Sequence, residues 1–262
     1  MRLFSIFMNR FLILLKSVKI VKNWYIIPLV YFHIYKNEYY ILKLKNGLKI
    51  KLRTYSTDIH AFVNIWVIQE YSKNFDGNEE IIIDIGGHIG LFSIYALRSN
   101  PKKIIAFEPI KENFNLFNEN IALNKIKNIK CYNMAVYDSS EEIEIYFNQD
   151  FAAHSLIKKN GSSRKIKSIS LKKIFDEQKI TKCDILKLDC EGAEYKIFEE
   201  LPNEYFKKIE KISMEFHVFN NEYELIEKLK KRIIEMKFLI EIQQTNDEMG
   251  MLYAKVMKKV LK

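Results

Sequence analysis

Apolar residues after position 80 form short continuous runs that alternate with stretches of helical periodicity. The run 81–85 is apolar except at Asp84, which is typical of a strand buried on both faces of a parallel sheet. Similar runs predict six more strands, at 104–107, 129–136, 185–188, 209–216, 239–242 and 252–256. Between the strands the periodicity predicts helices at 90–98, 113–123, 195–201 and 221–236.

Strands that alternate with helices predict a doubly wound α/β fold with right-handed crossovers. The sheet is expected to hold seven mostly parallel strands, and the last two strands are expected to form an antiparallel pair. Two shorter strands, at 143–147 and 166–169, are expected as additions around a polar loop. Because such sheets bind ligands beyond the carboxyl ends of their strands, chemistry is expected directly after strands.

The first 56 residues follow other patterns and are predicted to be an N-terminal extension, with the ligand-binding domain at 57–262. Apolar and polar residues alternate on both sides of Asn46-Gly47, which is the strongest short signal for a β-hairpin. Thr57 or Asp58 is expected to cap the helix that follows the hairpin.

The excess positive charge lies in this extension. Residues 1–52 hold ten Lys or Arg and a single acid, which accounts for the whole formal net charge of +9. Residues 3–20 predict a basic amphipathic helix, and aromatic residues follow it up to position 35, a combination that peripheral helices use on anionic membranes. A solvated basic helix packed on the domain gives the same pattern, so the sequence leaves both interpretations open.

The cysteine content indicates the compartment. The chain has three cysteines and no Cys-x-x-Cys pair, which favours reduced thiols and a cytoplasmic location, with peripheral contact at the inner face of the membrane as an option. No run reaches the roughly 18 apolar residues of a membrane-spanning helix. No metal site is expected from the pattern of histidines and cysteines.

The first motif with chemical character is the loop after the first predicted strand, Asp-Ile-Gly-Gly-His-Ile-Gly. Its glycines permit a tight turn and a close approach of the next helix. The spacing differs from the dinucleotide-binding pattern G-x-G-x-x-G and suits a nucleoside with an amino-acid tail, whose ammonium group the acid can bind directly or through water. The expected cofactor-binding residues are Asp84, Gly86, Gly87, His88 and Gly90.

Two further strand ends complete the expected nucleoside site. Glu108, followed by Pro109, ends the second predicted strand and can accept hydrogen bonds from both ribose hydroxyls. The third predicted strand ends near Ala135 and Asp138, which are expected at the adenine edge. Asp138 can equally start a turn, and the sequence does not decide between the two roles.

Acidic residues and a histidine follow the last parallel strands. Asp189, Glu191 and Glu194 surround a glycine turn after the fourth predicted strand, where Glu194 can orient a substrate or cap the next helix. His217 ends the fifth strand on the same side as Glu215, and a neutral imidazole there can remove a hydroxyl proton.

Together these motifs resemble the FkbM family of methyltransferases. The resemblance rests on the Asn-Gly hairpin with Asp58 and on the segments 84–90, 106–109, 133–138 and 187–194. It implies a class I, Rossmann-like methyltransferase with S-adenosylmethionine as cofactor. It also implies O-methylation of a hydroxyl on a sugar, a glycan or glycolipid, or a small metabolite, and leaves the acceptor and the oligomeric state open.

The resemblance and the strand-end positions together assign roles. His217 or Asp189 is expected to be the base, Asp189 also borders the cofactor, and Glu191 and Glu194 are expected to orient the acceptor. Two rival functions are a nucleotide-dependent oxidoreductase, which the glycine spacing disfavours, and a non-catalytic membrane-associated nucleotide-binding module. No nucleic-acid partner is expected, because the body of the chain is neutral and lacks a basic channel.

Overall fold

The N-terminal part of the chain forms two helices and the predicted hairpin. The computed structural model describes residues 12–138, 141–147, 154–155, 162–190, 192–218, 223–246 and 248–257. Helix α1 includes residues 12–20, and α2 follows at Ile26–Tyr31. Strands β1 (Tyr39–Lys43) and β2 (Lys49–Arg53) pair antiparallel, which confirms the hairpin, and Gly47 in the turn has φ +95°.

The helix after the hairpin begins as predicted but is capped differently. Helix α3 (Asp58–Phe62) continues as a π-helix over Val63–Ile68, and a 3₁₀ turn follows at Ser72–Asn74. Neither expected cap is formed: the side chain of Thr57, the N-cap residue, accepts no hydrogen bond, and the N–H of Asp58 donates to Oγ of Ser56 at 3.2 Å. The carboxylate of Asp58 instead turns back to the hairpin, where the backbone N–H of Arg53 donates to it.

The rest of the chain contains the predicted strands and helices, but five strands follow one another in the described part of residues 129–170, and the helices at 171–177 and 203–206 were not predicted. In chain order the elements are β3 (Ile81–Ile85), α4 (Leu91–Ala96), β4 (Lys103–Phe107), α5 (Lys111–Leu123), β5 (Ile129–Tyr132), β6 (Ala135–Tyr137), β7 (Glu142–Phe147), β8 (His154–Ser155), β9 (Ser162–Ser170), α6 (Leu171–Glu177), β10 (Ile185–Leu188), α7 (Glu194–Glu200), α8 (Asn203–Phe206), β11 (Lys211–His217), α9 (Tyr223–Glu235), β12 (Phe238–Gln244) and β13 (Met249–Val256).

Seven of these strands form the main sheet, in the order β12-β13-β11-β10-β3-β4-β5. Neighbours pair in parallel except at β13, which is antiparallel to both β11 and β12. The predicted doubly wound sheet with a C-terminal antiparallel strand is therefore confirmed. The chain runs outward from β3 through β4 and then returns to β10 on the other side, so the strand order reverses between β3 and β10. Ligands bind at such a switch point.

The third predicted strand is wrong in its extent. The run 129–136 is two strands, because β5 ends at Tyr132 and β6 pairs with β9 in a separate four-stranded sheet of order β6-β9-β7-β8. The side-chain amide of Asn133 causes the break, since its Nδ2 donates to the carbonyl oxygens of Glu108 at 2.9 Å and Pro109 at 2.8 Å. The chain therefore leaves the main sheet at Asn133 and crosses the end of β4.

The hairpin belongs to the same hydrophobic core as helices α4 and α5. Its inward side chains are buried, among them Tyr40, Leu42, Ile50 and Leu52. Asn120 of α5 fastens the hairpin to the glycine loop, because its Oδ1 accepts from the N–H of Lys51 at 2.7 Å and its Nδ2 donates to the carbonyl of Ile89 at 3.0 Å. The hairpin therefore supports one side of the glycine loop.

A buried ion pair makes the second connection. Arg53 donates to both carboxylate oxygens of Asp58, with Nε–Oδ2 at 3.0 Å and Nη2–Oδ1 at 2.7 Å. The same Nη2 lies 3.2 Å from Nε2 of His88 in the glycine loop. Burial lowers the pKa of His88 despite the nearby Asp58 carboxylate, so the imidazole is neutral at pH 7 and accepts this bond.

We predict that Asp58→Ala lowers the free energy of unfolding by about 3–5 kcal/mol, because it leaves the Arg53 guanidinium without its buried partner. Glu119→Gln is the matched control, since it breaks the exposed pair between the same strand's Lys51 and α5 and should cost less than about 1 kcal/mol. Urea unfolding followed by circular dichroism measures both. A loss below about 1 kcal/mol for Asp58→Ala would show that the pair does not hold the hairpin.

Candidate functional site

A cleft of about 290 Å³ opens at the carboxyl ends of β3, β4 and β10, where the strand order reverses. Residues from several of the predicted motifs meet in its wall. They are Gly86, Gly87 and His88 from the loop after β3, Glu108 and Pro109 after β4, Ala135 from β6, and Asp189 after β10. Three other predicted cofactor residues, Asp84, Gly90 and Asp138, are not part of this wall.

The glycine loop leaves bare backbone next to β10. Gly86 has φ +75°, and a Cβ atom built on it would lie 1.7 Å from the carbonyl oxygen of Asp189. Gly90 has φ +89°, and its Cβ would lie 2.3 Å from the ring of Phe117 in α5. Both positions therefore need glycine, Gly86 for the contact between loop and strand end and Gly90 for the contact between loop and helix.

Glu108 lies in the cleft wall with both carboxylate oxygens already engaged. Oε2 accepts from the N–H of His88 at 2.7 Å, and Oε1 accepts from the N–H of Ile110 at 2.9 Å and from Nδ2 of Asn113 at 3.4 Å. Burial raises the pKa of Glu108 to about 7, although these donors oppose the shift. An ionised carboxylate offers about four acceptor positions, so about one remains for a ligand hydroxyl unless the long Asn113 bond gives way.

Asp84 lies beneath the loop, fully buried, and already has a cation beside it. Oγ of Ser93 donates to its Oδ2 at 2.6 Å, and Nζ of Lys187 lies 3.3 Å from its Oδ1. Direct contact with a ligand ammonium group was one of the two expected modes for Asp84. The neighbouring lysine and the burial favour the other mode, in which Asp84 binds the ammonium group through water.

Lys187 also lines the cleft, and its role was not predicted from the sequence. Its Nζ donates to the carbonyl of Gly86 at 2.6 Å and lies 3.7 Å from Oδ2 of Asp189. Burial lowers the pKa of Lys187, but Asp84 and Asp189 outweigh that effect and the pKa is raised, so the ammonium is charged. A signal was present in the sequence, because a lysine within a strand buried on both faces requires a buried partner.

The acidic residues after β10 lie in different surroundings. Asp189 faces the cleft, and its side chain is 33% exposed. Glu194 is fully buried, and its two oxygens accept from the N–H groups of Cys190 at 2.9 Å and Gly192 at 2.8 Å. The carboxylate of Glu194 therefore holds the turn that precedes α7, and no side chain caps the N-terminus of that helix. Glu191 lies outside the described residues.

His217 ends β11 beside the cleft and not in its wall. As the alternation predicts, Glu215 lies on the same side, with Nε2 of His217 3.6 Å from its Oε1. One donor atom from each of Asp189, Glu215 and His217 lies within 4.8 Å of the others. The two candidate bases of the sequence analysis are thus neighbours, and Asp189 connects the histidine to the cleft.

The far wall of the cleft was not predicted. It comes from the start of α3 and from the π-helix, with Thr57, His60, Ala61, Asn64 and Ile65 as lining residues. A π-helical turn is rare and depends on its surroundings. The apolar periodicity of 59–67 predicted a helix there but gave no indication that it closes a site.

The comparison with known families identifies the family of the chain. The methyltransferase FkbM domain matches residues 84–261. The chain belongs to the FkbM methyltransferase family. Two curated relatives are Methyltransferase 1 of Beauveria bassiana (strain ARSEF 2860), 23% identical over 161 residues, and Methyltransferase sdnD of Sordaria araneosa, 25% identical over 169 residues. The matches cover 53% and 51% of this chain, and the chain spans 65% of the length of each relative.

Solved structures are similar only at the level of the overall fold. M. jannaschii TYW2 in complex with AdoMet has a TM-score of 0.45 and 18% identity, covering 84% of this chain and 86% of that one. A precorrin-6y C5,15-methyltransferase from Geobacter metallireducens GS-15 has a TM-score of 0.47 and 10% identity, covering 72% and 87%. At these scores the likeness carries no argument about the site, and the class I methyltransferase fold rests on the strand order.

The residues of the cleft fit S-adenosylmethionine, the cofactor of the FkbM family. Gly86 and Gly87 bring loop backbone into the cleft wall, and Glu108 has an acceptor position left for a ribose hydroxyl. Ala135 leaves room for a flat base next to β6. Oδ1 of Asp84 has the ammonium of Lys187 at 3.3 Å and otherwise no hydrogen-bond partner among the described residues, so it keeps an acceptor position for a bond through water.

Proposed function

We propose that this member of the FkbM family is an S-adenosylmethionine-dependent O-methyltransferase whose acceptor is a hydroxyl of a sugar, a glycan or glycolipid, or a small metabolite. The observation that carries the proposal is the convergence of the glycine loop, Glu108 and Asp189 on one cleft at the reversal of strand order. These groups differ in chemistry, and together they match a ligand with an amino-acid tail, a ribose and a reactive centre between them.

S-adenosylmethionine, when bound, supplies an electrophilic methyl group on a positively charged sulfur. The chain's own task is then to orient the acceptor oxygen in line with that methyl group and to exclude water, which can contribute about 7–11 kcal/mol. An alcohol is a weak nucleophile, so a base that takes the hydroxyl proton adds about 10²–10⁴-fold. His217 and Asp189 are the proposed candidates, since the two lie side by side at the edge of the cleft.

The rival functions have less support. An oxidoreductase is disfavoured because the glycines at 86, 87 and 90 depart from the dinucleotide-binding spacing G-x-G-x-x-G. A non-catalytic membrane-associated nucleotide-binding module would need the glycine loop and Glu108, but it gives no reason for the acidic segment after β10 to place Asp189 in the same cleft.

The test is methyl transfer from S-adenosylmethionine carrying a labelled methyl group, with panels of sugars, lipid-linked sugars and small alcohols as acceptors. We expect label on an acceptor oxygen, and a drop in kcat of about 10²–10⁴-fold for His217→Ala if the imidazole takes the proton. Glu227→Ala, at an exposed side chain of α9 outside the cleft, is the control and should retain full turnover. Transfer only to nitrogen or carbon acceptors would exclude the O-methyltransferase assignment.

We also propose that the N-terminal extension contacts an anionic membrane surface. No helix of the described residues is both long and apolar enough to cross a membrane. Large apolar side chains are nonetheless exposed in the extension, including Tyr25 at 57%, Phe32 at 67% and Ile34 at 58%. The ring of neighbouring Tyr31 contacts that of His60 in the cleft wall, so this surface borders the cleft. That position suits a lipid-linked acceptor.

Vesicle flotation of the full chain tests this contact. We expect flotation with vesicles of phosphatidylcholine and phosphatidylglycerol, and less with phosphatidylcholine alone, because the extension is basic. Phe32→Ser with Ile34→Ser should reduce flotation several-fold, whereas Leu239→Ser, in an equally exposed leucine of β12, should not. Point variants are preferable to truncation, since Val21, Ile27 and Val30 are part of the core. Equal flotation of all variants would rule out this surface.

A further inference from the structure

Three metal-ligating side chains meet where β10 and β11 end, next to the cleft. The donor atoms of Asp189, Glu215 and His217 all lie within 4.8 Å of one another, and Nε2 of His217 is 3.6 Å from Oε1 of Glu215. Adjacent ligands on a cation with bonds of about 2.1 Å are about 3 Å apart, so small side-chain rotations would bring the three into coordination. They come from two neighbouring parallel strands, which fixes their relative positions.

An unpartnered hydroxyl points to a missing polar ligand at the same place. Tyr71 is 1% exposed, and its hydroxyl has no hydrogen-bond partner among the described residues. A buried phenol normally has such a partner, because an unmade bond costs about 1–3 kcal/mol. The ammonium of Lys187 connects the two, since its Nζ lies 5.9 Å from the centroid of the Tyr71 ring and 3.7 Å from Oδ2 of Asp189. Burial and then the charges of Asp189 and Glu215 raise the pKa of this phenol.

The charges around Asp189 and Glu215 also favour a cation at this place. Lys187 is the ammonium group beside Asp189, but it lies closer to Asp84, at 3.3 Å against 3.7 Å, and its single positive charge is shared between them. Glu215 is next to Asp189 and only 16% exposed, so a second carboxylate is partly buried there. A divalent cation between two neighbouring carboxylates would offset their mutual repulsion.

We propose that Asp189, Glu215 and His217 bind a divalent cation that holds the acceptor hydroxyl. Two carboxylates and one imidazole suit a cation of the Mg²⁺ and Mn²⁺ class, with Mn²⁺ tolerating the nitrogen ligand better. The open coordination positions would face the cleft past Asp189, and a water on the ion would give the Tyr71 hydroxyl its hydrogen bond. Ion binding itself does not depend on the proposed methyltransferase function, but the role of the ion in catalysis does.

The ion changes the assignment of the base. A hydroxyl coordinated to a divalent cation has a lowered pKa, so its proton can pass to water without a protein base. The oxygen lone pair then forms the bond to the methyl carbon while the carbon–sulfur bond pair stays on sulfur, which becomes a neutral thioether. In this arrangement His217 is a ligand of the ion and Asp189 connects the ion to the cleft.

Mn²⁺ is the probe, since its electron paramagnetic resonance signal reports binding without turnover. Titration of the full chain with MnCl₂ is expected to show one saturable site, and the electron spin echo of the bound ion should carry modulation from a directly bonded ¹⁴N. His217→Gln should abolish that nitrogen modulation. A site without ¹⁴N modulation, or with modulation that persists in His217→Gln, would overturn the proposal.

Glu215→Gln tests the oxygen ligands with nearly unchanged shape. It should weaken Mn²⁺ binding by at least about tenfold. Glu241→Gln, in an exposed carboxylate on β12 of the same sheet, is the matched control and should bind like the wild type. Tyr71→Phe provides a milder second variant that removes only the hydroxyl, and we expect a several-fold loss. Equal Mn²⁺ affinity in wild type, Glu215→Gln and Tyr71→Phe would overturn the proposal.

The two proposals can fail separately. Calorimetry with S-adenosylmethionine in the presence of a chelator tests the cofactor cleft without any ion. Cofactor binding with no saturable Mn²⁺ site would remove only the metal inference. Mn²⁺ binding at His217 without cofactor affinity would keep the ion site and remove the proposed function.

Discussion

The buried ammonium group of Lys187 joins the two strands between which the cleft opens. It lies 3.3 Å from Asp84 at the end of β3 and 3.7 Å from Asp189 after β10, and it donates to the carbonyl of Gly86 at 2.6 Å. Removing one member of such a buried group leaves an uncompensated charge and typically costs 3–5 kcal/mol. The path of the glycine loop and the position of Asp189 therefore depend on this one side chain.

The parts of the fold with local signals could be predicted from the sequence. Buried parallel strands such as β3 appear as continuous apolar runs, and the hairpin follows from Asn46-Gly47 between alternating residues. The end of the third strand could not be predicted, because the side-chain amide of Asn133 bends the chain through bonds to carbonyls that are distant in sequence. Asp58 was expected as a helix cap, but its carboxylate pairs with Arg53 of the hairpin instead. A helix-capping pattern in the sequence does not indicate that pair.

The residues of the candidate site likewise include some that could be predicted from the sequence and some that could not. Gly86, Glu108 and Asp189 could be identified because parallel strands bring their carboxyl ends to one edge of a sheet. The direction of a side chain was harder to predict, since Asp84 points beneath the loop and Glu194 into backbone N–H groups. Tyr71 belongs to no sequence motif. Its proposed role rests on its buried hydroxyl, which has no hydrogen-bond partner among the described residues.

Calorimetric titration of S-adenosylmethionine into a pair of glycine variants tests the cofactor cleft most directly. Gly86→Ala and Gly77→Ala impose similar backbone strain, at φ +75° and +88°, but only the Cβ at 86 collides with the carbonyl of Asp189, while the one at 77 meets open space. We expect measurable binding for the wild type and Gly77→Ala, and a loss of affinity of at least about 100-fold for Gly86→Ala. No binding by the wild type, or unchanged affinity in folded Gly86→Ala, would contradict the assignment of the cofactor cleft.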